Sequence, residues 1–307
     1  MFFFPYRVDL ALGKIPIVTI VICLLCILTY IRQIQNTNSI EAAAERYCTS
    51  SADPHMDRVI QKLGIAQIRS CQDAIFYLHS TRDPEQQIRY MVQDSNVYKR
   101  NPLIGFEITR YLQTQYENAA RQLPDNLNVR LAYYPDTYNP IHMISSVFAH
   151  ADIGHIAGNL LFFFAFAASV EIILGSLFYS LVSLVLAIGV GIAYSLSQIG
   201  SPYPLPTIGL SGVVMGMIGL CTYLMPNANI RCLFIFFFYI RIWLIPAWIL
   251  AAWYIGWDAF ALFVLHKDTS VNLVAHVSGA TLGYLIGAVA FRQKRALIKQ
   301  HLHRLSR

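Results

Sequence analysis

Charge is scarce in this 307-residue chain: only 13% of residues are Asp, Glu, Lys or Arg, against about 25% in soluble domains. With 56% hydrophobic residues and a mean hydropathy of +0.47, an ordinary soluble domain is excluded and a polytopic membrane protein is expected. Acid is missing altogether after Phe291, where Arg292, Lys294, Arg295, Lys299, Arg304 and Arg307 supply six of the 23 bases. A basic end directly after a hydrophobic span marks the cytoplasmic side rather than a nucleic-acid partner. The six cysteines are too few and too dispersed for a disulfide-dense scaffold or a metal site. Only Cys48 and Cys71 fall in a polar stretch; they pair if it faces an oxidising compartment and stay free thiols otherwise. No internal repeat or low-complexity segment stands out.

Six apolar stretches are present, at 15–31, 144–170, 172–197, 207–225, 242–257 and 271–291. Each approaches the length of about 20 residues that a spanning helix needs. The first is read as an uncleaved span, since its apolar part is long and no small-residue cleavage site follows closely. Before the fifth, LFIFFFY at 233–239 is read as interfacial. Residues 33–140 carry 11 Lys/Arg and 12 Asp/Glu, too many to cross a bilayer. Helix starts are expected there at Ser39, at Asp53-Pro54 and at Asp83-Pro84, and a periodic run follows at 104–121.

The expected architecture is therefore an all-α polytopic membrane protein. It has a first segment and span (1–32), a mostly helical extramembrane insert (33–140), a membrane core (141–291) and a basic tail (292–307). Six spans put both termini on one side, and the tail makes that side cytoplasmic, of the cell membrane. The second, fourth and sixth spans then enter from the outer face, and the insert lies outside.

Chemistry-bearing residues sit within about two turns of that outer end, in FAHADIGHIAGN (148–159), GLSGVVMG (209–216) and AHVSGATLG (275–283). Ionisable groups inside apolar spans are expensive and mark functional sites by default. Serine needs a base within hydrogen-bond reach to act as a nucleophile, and His276 is the best candidate for Ser211. Gly209 and Gly212 permit a tight turn around the serine, and a helix start leaves unpaired N–H groups nearby. His155 and Asn159, one turn apart, share a helix face and can donate to an oxyanion. His150 is expected to be structural. No Asp or Glu stands near His276 in a way that makes a third member obvious, so a Ser–His dyad is expected rather than a triad. Gly279, Gly283 and Gly287 form a smooth stripe suited to close packing against Gly212 and Gly216. Taken singly, the serine suits helix packing and the histidines suit interhelical bonding; their coincidence at one depth favours catalysis.

These segments resemble the rhomboid family of intramembrane serine proteases from about residue 133 to 291. GLSG resembles its nucleophile motif, AHVSGATLG its catalytic-histidine motif and HADIGHIAGN its oxyanion segment, and Glu171 matches a position commonly acidic in the family. The resemblance implies a six-helix core whose cavity opens outward. It also implies cleavage of transmembrane or membrane-proximal substrate segments by Ser211 and His276, without cofactor or metal. Ile141 and His142 stand where many members have Trp-Arg. Met215 stands where many have an aromatic that packs on the histidine, which implies altered tuning of His276. The competing readings are a catalytically inactive relative that binds membrane clients, and a transporter with a histidine proton relay. The first is disfavoured by retention of all four site residues, the second by the charge-free third span.

Overall fold

The computed structural model describes residues 2–8, 14–201, 204–236, 239–265 and 271–305; Arg307 of the basic tail lies outside them. In chain order the elements are strand β1 (Phe2–Val8), then helices α1 (Ile17–Ser50), α2 (Met56–Leu63), α3 (Cys71–His79), α4 (Pro84–Asp94), α5 (Asn96–Arg100), α6 (Pro102–Ala120) and α7 (Leu127–Leu131). Next come α8 (Pro140–Ser145), a short 3-10 turn, α9 (Ile153–Leu174), α10 (Ser176–Ser197) and α11 (Ser211–Leu224). Strands β2 (Asn229–Phe236) and β3 (Tyr239–Pro246), then α12 (Ala247–Phe263), α13 (Leu273–Ala290) and α14 (Arg292–Leu305), complete the chain. Two compact units result, one of residues 1–30 and 131–307, the other of residues 31–130.

The fold is mostly helical, but it is not all-α. Strands β1, β2 and β3 form an antiparallel sheet in that order, with Leu233 opposite Phe4 on one side and Ile242 on the other. β2 and β3 are rich in Ile and Phe, which suit a pleated surface, and Trp243 stacks on Phe234 across the strands at 4.9 Å. The apolar residues of 233–236 and 239–246 thus lie in paired strands, and 242–246 is not the head of a spanning helix. The helix expected from 242 starts at Ala247, directly after Pro246, and runs to Phe263.

Other boundaries shift for local reasons. The second apolar stretch does not start its helix near 144: Pro140–Ser145 is a separate turn, and α9 begins where the Asp152 carboxylate accepts from His155 N at 2.9 Å. Nothing breaks the chain between Arg32 and Arg46, so α1 runs through Ser39, whose hydroxyl donates back to the Gln35 carbonyl instead of capping a new helix. The start expected at Asp53-Pro54 falls at Met56, whereas Asp83 caps α4 with Pro84 as its first residue.

Among the described residues, α1, α9, α10 and α13 are long and apolar enough to cross a membrane; α11 and α12 are apolar but shorter, at 14 and 17 residues. α11 is the central helix of its unit, buried along nearly its whole length. Its approach segment is not helical, but its backbone is anchored: Thr207 pairs with Tyr133 in both directions, and Gly209 N donates to the Ser146 carbonyl at 2.8 Å.

At the far end of α9, Glu171 is 2% exposed. Its carboxylate accepts from Val18 N, Thr19 N, Thr19 Oγ1 and Ser176 Oγ at 2.8–2.9 Å. It therefore caps the first turn of α1 from another helix.

The unit of residues 31–130 has its own core around Tyr47, Ile60, Ile75, Leu78, Ile88 and Leu112. A disulfide joins Cys48 on α1 to Cys71 at the start of α3, 23 residues apart. Closing a loop of that length restricts the unfolded chain and is worth about 3 kcal/mol. Replacing both cysteines with alanine is expected to accelerate amide exchange throughout 31–130 while leaving 153–290 unchanged. Equal exchange in the two proteins would show that the helical core alone carries the unit.

Candidate active site

Ser211 is the first residue of α11, and Leu210 before it supplies no side-chain cap. The unpaired N–H groups of the first turn thus lie beside the serine. Gly209 has φ +119°, a conformation that side chains rarely adopt, and a Cβ there would stand 2.7 Å from His155 Nε2 and 3.5 Å from Asn159 Nδ2. The glycine is what lets the turn before Ser211 lie directly on the His155 and Asn159 face of α9.

On that face His155 Nδ1 accepts from Ala151 N at 3.4 Å. This bond places the ring proton on Nε2, toward Gly209, where it can be donated. The Asn159 amide nitrogen is buried beside the same glycine and makes no hydrogen bond among the described residues. Buried donors of this kind ordinarily find a partner; one left open next to a serine at a helix start suits an oxyanion. His150 is 1% exposed, bonds the Phe148 carbonyl through Nδ1 and sets its ring edge-on to His155 at 5.1 Å. It therefore braces His155 from behind.

α11 and α13 meet through their glycines. A Cβ on Gly279 would overlap the Gly212 carbonyl, and one on Gly283 the Gly216 carbonyl. The same contact continues as Gly219 against the Ala280 carbonyl, while Gly287 faces the side chains of Tyr223 and Leu220. Only backbones without side chains can approach this closely, and the approach sets Ser211-Gly212 alongside Ala275-His276. Asn272 ties the two helix starts together: its Oδ1 caps Ala275 N at 2.9 Å while its Nδ2 donates to Thr207 Oγ1 at 3.1 Å.

His276 Nε2 is buried and makes no hydrogen bond among the described residues. Its Nδ1 donates to Asp258 Oδ2 on α12 at 2.7 Å. The expectation of no third group beside His276 is therefore corrected. In the sequence the fifth apolar stretch breaks off at Trp257, which leaves Asp258 outside it; the helix runs on to Phe263 and carries Asp258 within it. Met215, at the position often aromatic, is buried in the core of α11. Asn272 and Thr207 had no signal beyond an ordinary capping residue and a lone threonine. A cavity of about 30 Å³ adjoins Ser211, lined among others by Tyr133, Met143, Tyr194, Thr207 and Asn272. Among the described residues no cluster of His, Cys, Asp or Glu could hold a metal ion.

The chain is 30% identical over 174 residues to Rhomboid protein 1, mitochondrial, of Saccharomyces cerevisiae (strain ATCC 204508 / S288c). That alignment takes in 54% of this chain and 45% of the yeast protein, so the chain spans less than half the length of this relative. The family model described as Rhomboid domain matches residues 138–293, more than half of the sequence and all of the elements that build the site, and the chain belongs to the rhomboid family of integral membrane proteins.

Proposed function

We propose that this protein is an intramembrane serine endopeptidase that cleaves transmembrane or membrane-proximal segments of other membrane proteins. The observation that carries this reading is the seating of Gly209 on His155 and Asn159 beside a serine that opens a buried helix. In the proposed reaction Ser211 Oγ attacks the scissile carbonyl and its proton passes to His276 Nε2. The same proton then goes to the leaving amine, and water releases the acyl group by the reverse relay. The developing oxyanion is held by Asn159 Nδ2, His155 Nε2–H and the N–H groups at the start of α11, where each such donor is worth about 10²–10³ in rate.

The topology that goes with this reading has six spans, α11 and α12 being the short ones, both termini in the cytoplasm and the site open to the opposite side. The basic α14 supports the cytoplasmic assignment of the C-terminus. The Cys48–Cys71 bond supports an oxidising, extracytoplasmic setting for residues 31–130. The glycine-mediated approach of α11 and α13 supports the pairing of serine and histidine.

A fluorophosphonate probe tests the reading on the detergent-solubilised full chain. Wild type is expected to label covalently, and Ser211→Ala and His276→Ala to lose labelling by at least about 10³-fold. A folded wild type that labels no faster than Ser211→Ala would instead fit a rhomboid relative that binds membrane clients without cleaving them.

A further inference from the structure

We propose that Asp258 is a positioning residue that acts through His276, so that the site works as a Ser211–His276–Asp258 triad rather than a dyad. The inference rests on the protease reading above and extends it to a residue on a fourth element, α12.

The geometry is specific. Asp258 lies inside a 17-residue apolar helix, between Trp257 and Ala259. Its side chain is 19% exposed and that of His276 15%, and their contact is 2.7 Å. Among the described residues Asp258 makes no other hydrogen bond or ion pair. A carboxylate in an apolar span is expensive, and a buried pair is a poor source of stability, since apolar residues of the same size usually serve as well. The contact therefore calls for a reason other than holding α12 to α13.

The ring supplies one. Imidazole has two nitrogens, and which one carries the proton is set by the bond the other makes. With Nδ1–H directed at Asp258, Nε2 is left as the bare acceptor, and Nε2 is the nitrogen that is buried without a partner among the described residues. Without the carboxylate, the proton can sit on either nitrogen and the ring can turn. As Ser211 Oγ forms its bond to the electrophile, its proton moves to Nε2; Nδ1–H stays bonded to Asp258, which stabilises the imidazolium and is not itself protonated. Among the described residues, the charged and titratable groups around the ring are Asp258 from α12 and His155 from α9. Among the described residues, Asp258 is thus the group there able to compensate a positive ring.

Fluorophosphonate labelling rates of the full chain in detergent test this with Asp258→Asn and Asp258→Glu. In this reaction Oγ bonds phosphorus, fluoride leaves and the serine proton passes to Nε2. Asn keeps the shape and loses the charge; Glu keeps the charge and changes the reach. A positioning role through charge and tautomer predicts that Asn labels at least ~10²-fold more slowly than wild type, that Glu labels faster than Asn, and that Asn melts with the wild type. A merely structural role predicts the opposite order, with the isosteric Asn the better substitute. Labelling of Asp258→Asn within tenfold of wild type, or as fast as Asp258→Glu, overturns the proposal and leaves the dyad standing. A wild type that labels no faster than Ser211→Ala overturns the protease reading, and this assignment with it.

Discussion

Replacing Gly283 with valine is expected to leave little folded protein. A side chain at this position overlaps the Gly216 carbonyl, with the Gly216 Cα also only 2.9 Å away. All three nearest atoms are backbone, so no rotamer change relieves the overlap and the two helices must separate. Overpacking a core that can adjust costs about 1–3 kcal/mol. Here the whole face from Gly212/Gly279 to Gly219/Ala280 moves with the contact, so the loss is expected to exceed that range. Two other glycines calibrate the result. Gly287→Ala meets the flexible ring of Tyr223 at 2.6 Å and is expected to be milder, while Gly256→Ala has nothing within 4 Å and is expected to be neutral or slightly stabilising. Thermal unfolding in detergent, followed by tryptophan fluorescence, ranks the three. Equal melting of Gly283→Val and wild type would mean that the α11–α13 contact is not what holds the unit together.

Much of that contact was legible in the sequence. Gly279, Gly283 and Gly287 repeat at a spacing with one structural use in apolar helices, and Gly212 and Gly216 match it. Their register was not legible: Gly287 faces side chains rather than backbone, and Gly219 joins the seam against Ala280. The proximity of Gly209 to His155 and Asn159 could be expected from the sequence, because a six-span reading puts three short motifs at one end of three apolar stretches. Asp258 could not, since one misplaced helix boundary put it outside the membrane run. That error and the missed β2–β3 pairing have one cause. A run such as LFIFFFYIRIWLIP is apolar enough for a span and β-branched and aromatic enough for strands, and periodicity alone does not separate the two. What settles it is pairing with Phe2–Val8, more than 220 residues away, and local sequence carries no sign of that. Helix α1 was cut short for a related reason: Ser39 looks like a cap, but a cap matters only where the preceding helix stops.

Removing the Glu171 carboxylate is expected to have the other large effect, and for a reason that resemblance alone does not supply. The first turn of α1 has no acidic residue of its own. Its amides at Val18 and Thr19, together with the Thr19 and Ser176 hydroxyls, all donate to Glu171 instead. Glu171→Ala leaves the buried Thr19 amide and hydroxyl, and the half-buried Val18 amide, without this acceptor, at a cost of about 1–3 kcal/mol for each buried orphan, whereas the exposed Ser176 hydroxyl turns to solvent. It also removes a negative charge from a helix N-terminus, where such charge is favourable. Together these come to about 4 kcal/mol or more, enough to release α1 from the core. Glu171→Gln keeps one acceptor oxygen but turns an NH2 toward donors, so it is expected to fall nearer to Ala than to wild type. Thr19→Val removes one donor together with its need for an acceptor and is expected to cost only about 1 kcal/mol. The order wild type, Thr19→Val, Glu171→Gln, Glu171→Ala in detergent melting temperature follows from unsatisfied donors rather than from side-chain volume. If Glu171→Ala instead melts within a degree or two of wild type, then packing around Cys26 and Tyr179 must hold α1 in place, and the carboxylate is redundant.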